Sequence, residues 1–247
     1  MHDPLLITWA SQFDGFSLGI TARSAVLTAA VLPPQASPTD RALIGRWLTL
    51  ALMLEDYMRH DMRQTGDQAT AFWRGLRAVG ERRAAPTSPY GMALNDIIAN
   101  LVRLRGVAPA DVTLLSVAVG ALLDGLATRY TWQRSNMTPD RESERAARAR
   151  SSGILGIYAL LSAIYDWGLA ELMLSHPIRR MLGNVELAAA LLTEGGAAAD
   201  RAERTEALLE SIQMTLRSLP PRWDALGSWT LHLLAGSAQW AASEQAE

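Results

Sequence analysis

The sequence predicts an all-α fold, with central helices surrounded by others. Three observations carry this. Alternating β-branched runs bounded by tight turns hardly occur, and hairpin dipeptides are limited to Asp14-Gly15 and Asp124-Gly125. The chain is rich in Ala, Leu, Met, Arg and Glu, which are good helix formers. Prolines at 33, 34, 38, 86, 89, 109, 139, 177, 220 and 221 cut it into segments of helical length. No repeat at a fixed period and no long low-complexity linker appears, so residues 1–247 are expected to form a single domain.

Taken in order, Leu5–Trp9 could be a short strand, and helices are expected near 18–31, 40–63, 67–82 and 90–105. Ser37-Pro38-Thr39-Asp40 supplies a capping residue for the second of these, and Thr87-Ser88-Pro89 breaks the chain before the fourth. Pro109 suits the first position of a long helix over 109–134, with Asp111 in its first turn, where a negative charge complements the helix dipole. Further helices are expected near 139–150, 152–173, 177–193, 199–218 and 222–243. Gly195–Ala199 reads as a loop or a frayed helix start. Trp47–Leu54 and Ile154–Tyr165 are apolar nearly all round, which puts them inside the bundle.

Composition narrows the function. The formal net charge is −2 and the isoelectric point about 6.1, so the basic surface of a nucleic-acid binder is not expected. There is no cysteine, which excludes disulfides and cysteine metal sites and permits a reducing cytosol; a cytoplasmic protein is expected. All 23 basic residues are Arg, so Schiff-base lysine chemistry is excluded. The first twenty residues carry Asp3 and Asp14 and no Lys or Arg, unlike a secretory leader. The longest stretch free of Asp, Glu, Lys and Arg is Ala225–Ser243; it is too polar for a bilayer span, and no integral membrane segment is expected.

The most informative stretch is LTLALMLEDYMRHD, residues 48–61. An apolar helix runs directly into Glu55, Asp56, Arg59, His60 and Asp61. Carboxylates at the end of a buried helix are costly unless paired, solvated or bound to a cation. Two readings fit: an i,i+4 pair between Glu55 and Arg59 at a wet helix end, or a Mg site at the mouth of an apolar cavity, since Mg takes one or two carboxylates plus substrate phosphate.

The wider pattern resembles the class I terpene synthases of bacteria. SPTDRALIGRWLTLALMLEDY, residues 37–57, is similar to the family helix that ends in an aspartate-rich metal motif. WQRSNMTPDRESERAARARSSG, residues 132–153, resembles the segment that carries the diphosphate-sensing arginine, which falls on Arg148, followed by Ser151 and Gly153. HPIRRML, residues 176–182, and LPPRWDALGSWTLHLLAGSAQW, residues 219–240, resemble two later segments in the right order. The departures are specific. Arg59 stands where the first motif has a further acid, and Asp61 lies beyond it. The second metal region reads Thr193-Glu194-Gly195-Gly196, without the family's Asn and Ser/Glu pair; Asn184 is followed at ligand spacing by Ala188 and Leu192. The terminal Arg-Tyr pair is missing.

The resemblance implies a helical bundle around a central apolar cavity, and an enzyme that ionises a prenyl diphosphate with Mg and cyclises or rearranges the cation. Asp56 with Glu55 or Asp61, and Glu194, would hold Mg; Arg148 would bind the diphosphate. Trp47, Tyr158, Trp167, Trp229 and Trp240 could line the cavity, where aromatic faces attract a cation, although each is also ordinary core packing. A homodimer is expected as an option. The alternative is a degenerate homologue that binds an apolar isoprenoid or serves as a partner subunit, and a third reading is an isoprenoid enzyme acting by protonation or by transfer to another acceptor. Arg148 alone could belong to a solvated charged face with Arg145, Arg150, Glu142 and Glu144, and Arg179-Arg180 could be surface charge. Gly15-Phe16-Ser17-Leu18-Gly19 fits the string of a hydrolase nucleophile elbow, but such an elbow needs a parallel sheet around it.

Overall fold

The computed structural model describes residues 3–33, 35–61, 66–104, 106–192 and 198–244, with the side chains of 60, 61, 198–202, 222 and 240–244 outside the description. Among the described residues, twelve α-helices follow one another: α1 Pro4–Ala10, α2 Leu18–Val31, α3 Pro38–Asp56, α4 Gly66–Gly80, α5 Pro89–Arg103, α6 Pro109–Arg134, α7 Arg141–Ser151, α8 Ile154–Tyr165, α9 Leu169–Leu172, α10 His176–Leu192, α11 Ala198–Arg217 and α12 Asp224–Glu244. A single π turn, Tyr57–Asp61, continues α3, and a 3₁₀ turn, Pro221–Trp223, precedes α12. No strand occurs among the described residues.

The segment around Leu5–Trp9 is therefore a helix and not a strand. Pro4 sits at its first position, and the Asp3 carboxylate accepts from the Leu5 and Leu6 N–H groups, a start that fixes helical dihedrals from the first turn. Ser17 of the hydrolase-like string caps α2 by accepting from Ile20 N–H. With no sheet to carry an elbow, that string is a helix cap. Ser37 and Asp40 form a reciprocal capping box on α3. The expected helix over 152–173 is two helices, because Asp166 and Gly168 take left-handed backbone with φ of 51° and 61°.

Helices α3, α6 and α8 form the interior. Trp47, at 0% exposure, packs α3 onto α8. Its indole N–H donates to the Gly153 carbonyl at 2.7 Å. A Cβ on Gly156 would stand 2.1 Å from the Trp47 ring, so the close approach needs glycine there. Helix α6 is long and apolar enough to cross a membrane by length and composition, a property the sequence reading assigned to no segment. Half of its most apolar stretch is buried, and it packs against α4, α7 and α8, as the core helix of a bundle does. Asp111, expected to serve the dipole of α6, is buried and accepts from Ser162 Oγ at 3.0 Å. Ser162 Oγ in turn accepts from Leu169 N–H, which ties α6, α8 and α9 together.

Candidate active site

One cavity of about 320 Å³ opens among α2, α3, α6, α7, α8, α10 and α12. Its walls are aliphatic: Leu27 and Val31 from α2, Leu48 and Leu52 from α3, Ile154 and Ile157 from α8, and Leu233 from α12. Its mouth is charged, with Glu55, Asp56, Arg59, Arg23, Arg129 and Arg148, and with Ser151 and Ser152 beside them. Asp56 and Arg148, 92 positions apart in sequence, thus line the same space.

Local structure explains how these groups arrive there. Apolar side chains bury α3 as far as Leu54, and the chain reaches the cavity mouth at Glu55 and Asp56. The π turn that follows carries Arg59 to the same mouth, and one-turn π segments recur at functional sites. Helix α7 lies close against α6 because a Cβ on Gly125 would stand 2.6 Å from Ser151 N. That approach brings Arg129 of α6 within 3.0 Å of Ser151 Oγ.

The Glu55 carboxylate is the electrostatic centre. Its Oε1 accepts from Arg59 Nη2 at 2.7 Å and from Arg129 Nη1 at 2.9 Å. Burial works to raise its pKa, but the two guanidiniums outweigh it, and the carboxyl is held below its ordinary range. Arg148 donates through Nε and Nη2 to Glu144 Oε1 at 3.0 and 2.8 Å. The i,i+4 pair foreseen for Glu55 and Arg59 exists. It is extended by Arg129, which the sequence reading missed. A signal was available: Arg129 stands on an apolar helix between buried Leu126 and Tyr130, where a lone charge needs a partner.

Of the aromatic residues expected as cavity walls, Trp47, Tyr158, Trp167 and Trp229 do not line this cavity. Trp47 is packed against α8. The Tyr158 hydroxyl donates to Thr230 Oγ1 at 2.8 Å, and burial pushes its pKa up. Trp167 and Trp229 cluster with Tyr165, with ring centroids 5.1 to 6.0 Å apart. The side chain of Trp240 lies outside the described residues. No described residue lining the cavity is aromatic. Large flat rings fill helix–helix contacts here, and the hollow is left to branched aliphatic side chains. Arg179 and Arg180 are exposed and do not line the cavity.

For a metal ion, the donor set is narrow. No group of three or more acidic or histidine side chains that could hold one occurs among the described residues. Glu55 is committed to two guanidiniums. The Asp61 side chain and Glu194 lie outside the described residues. Asp56 lines the same mouth, and one carboxylate together with substrate phosphate is a sparse but ordinary coordination for Mg.

The architecture is that of the terpene synthases, whose solved structures share this helical fold. The SVS_A2 protein from ancestral sequence reconstruction superposes with a TM-score of 0.78 at 16% identity, over 98% of this chain and 86% of its own. Linalool/nerolidol synthase from Streptomyces clavuligerus, solved with 2-fluorogeranyl diphosphate, gives 0.72 at 16% identity, over 98% and 95%. Germacradien-4-ol synthase from Streptomyces citricolor gives 0.71 at 16% identity, over 96% and 90%. No family model and no curated protein sequence matches the chain.

Proposed function

We propose that this protein is a terpene synthase-like enzyme, which ionises a linear prenyl diphosphate and lets the cation cyclise or rearrange inside the cavity. One observation supports the reading above all: Asp56 and Arg148, from α3 and α7, share a charged mouth over an aliphatic hollow. A substrate with a charged head and a long apolar tail matches that division.

Ionisation breaks the allylic C–O bond, and its electron pair leaves with the bridging oxygen of the diphosphate. Arg148, with its planar fork, stabilises the charge that develops on the leaving group. Mg held by Asp56 and the phosphate oxygens would supply further positive charge at the same oxygens. The aliphatic side chains exclude water and shape the chain while the cation persists. Loss of a proton from the carbon skeleton, or capture of water, ends the reaction.

The test is incubation with geranyl, farnesyl and geranylgeranyl diphosphates plus Mg, followed by analysis of the organic extract and of released pyrophosphate. Asp56→Ala and Arg148→Ala are each expected to lower product formation by at least about 10²-fold, with unchanged helical circular dichroism. No consumption of any of the three by the folded parent protein sinks the proposal. A second reading, a homologue that binds isoprenoids without turnover, is favoured by the engagement of Glu55 with two guanidiniums. It predicts isoprenoid binding by calorimetry that does not depend on Mg and leaves the ligand intact.

A further inference from the structure

We propose that the diphosphate head is gripped by arginines and needs no metal to bind, with Arg59 and Arg129 supplying positive charge beside Arg148. This rests on the ionisation reading above and deepens it. Four guanidiniums and two carboxylates from the described residues line the mouth. Glu144, which holds Arg148 from outside the cavity, adds a third carboxylate to this group among the described residues. Arg59, on the π turn that follows Glu55 and Asp56, adds a positive charge to this mouth.

Glu55 organises this cluster; it does not act as a ligand. One of its oxygens holds Arg59 and Arg129 at 2.7 and 2.9 Å. Two like charges so close together repel each other unless an anion lies between them. The carboxylate offsets part of that repulsion, and an anion lodged beside the two guanidiniums would lower it further. Arg129 is fixed further by donating from Nη1 to Ser151 Oγ at 3.0 Å, and Ser151 Oγ donates to the Arg148 carbonyl at 3.2 Å. The bonds of Arg129 run through Nη1 and that of Arg59 through Nη2. A guanidinium has five N–H donors, so both arginines retain donors for phosphate oxygens in addition to their bonds to Glu55. The grip is preorganised from α3, α6 and α7 before any ligand arrives.

The experiment is titration calorimetry of the full chain with inorganic pyrophosphate, in EDTA and in excess Mg, beside inorganic phosphate. Pyrophosphate is expected to bind at one site in EDTA and more tightly than phosphate. Arg129→Gln and Arg59→Gln should each weaken it by about tenfold or more, the loss of one charge-assisted contact. Arg59 has a half-exposed side chain, with 51% relative exposure, so its variant remains informative if Arg129→Gln fails to fold. Glu55→Gln should keep binding in EDTA, because its amide oxygen still accepts from both arginines while a negative charge leaves the cluster. Binding that appears only with Mg, or that Glu55→Gln abolishes, overturns the inference and leaves Mg-dependent turnover standing. Binding in EDTA without turnover of any prenyl diphosphate upholds the inference and removes the enzymatic reading.

Discussion

At the scale of single residues, charge burial decides where chemistry can happen. Glu55 and Glu186 show the two outcomes. Glu55 keeps its charge because guanidiniums offset its burial. Glu186 on α10 is pushed up to about 7 by burial, against the opposing pull of Arg150 and the Leu155 N–H, and one of its oxygens has no partner. Its ordinary value is 4.5, so between about pH 4.5 and 7 the folded protein holds a proton that the unfolded chain releases. Stability from that proton is complete below pH 4.5 and is lost as pH rises through about 7. Glu186→Gln, which keeps a carbonyl acceptor and cannot ionise, should unfold like the parent in urea at pH 4.5 and exceed it by about 3 kcal/mol at pH 8. Equal unfolding midpoints at pH 8 would refute it. At this scale the sequence was half legible. Asp56 and Arg148 stood out by motif order, and Glu55–Arg59 by its i,i+4 spacing. Arg129 and Ser151 join them through contacts 74 and 22 positions long, which no local pattern encodes.

At the scale of elements, helix starts were readable and helix breaks less so. A proline at the first position and a Ser before it mark α3 and α5 directly, since the cap hydrogen bond is local. The break between α8 and α9 depends on Asp166 in left-handed backbone, which the sequence marks only through the glycine two residues on. Glycines inside helices carried the tightest contacts, and these were invisible because their partners are remote. Gly156 is the sharpest case, with Trp47 across the α3–α8 contact. In a solvent-exposed helix, Gly→Ala would stabilise by up to about 1 kcal/mol. Here the new methyl would overlap an indole held by its bond to Gly153, so the sign reverses. Gly156→Ala should cost about 1–3 kcal/mol, as overpacking does, and lower the thermal midpoint. An unchanged or raised midpoint would show that α8 can shift away from Trp47. Because Arg148, Ser151 and Ile154 lie just before this contact, the variant should also disturb the cavity mouth.

At the scale of the whole molecule, the all-α class follows from proline spacing and composition, and the hollow follows from the way the helices are filled. Large rings gather with one another, in the Tyr165–Trp167–Trp229 cluster and in the group of Trp9, Phe13, Phe16 and Tyr90. The space bounded by seven helices is left to smaller side chains. The cavity mouth collects charges from α2, α3, α6 and α7, elements that only folding brings together. An anion bound there has no comparable site in the unfolded chain, so its binding energy appears as folding stability. At a hundredfold excess over its dissociation constant, pyrophosphate should stabilise the protein by about 2.7 kcal/mol. For a chain of this size that raises the melting temperature by roughly 5–10 °C. The increment should shrink as ionic strength rises, because the mouth is open to solvent and the contacts are charged. It should be nearly absent in Arg148→Ala, whose guanidinium lines the mouth. A melting temperature that does not respond to pyrophosphate at low salt, with or without Mg, would mean that these charges hold the helices together and take no ligand.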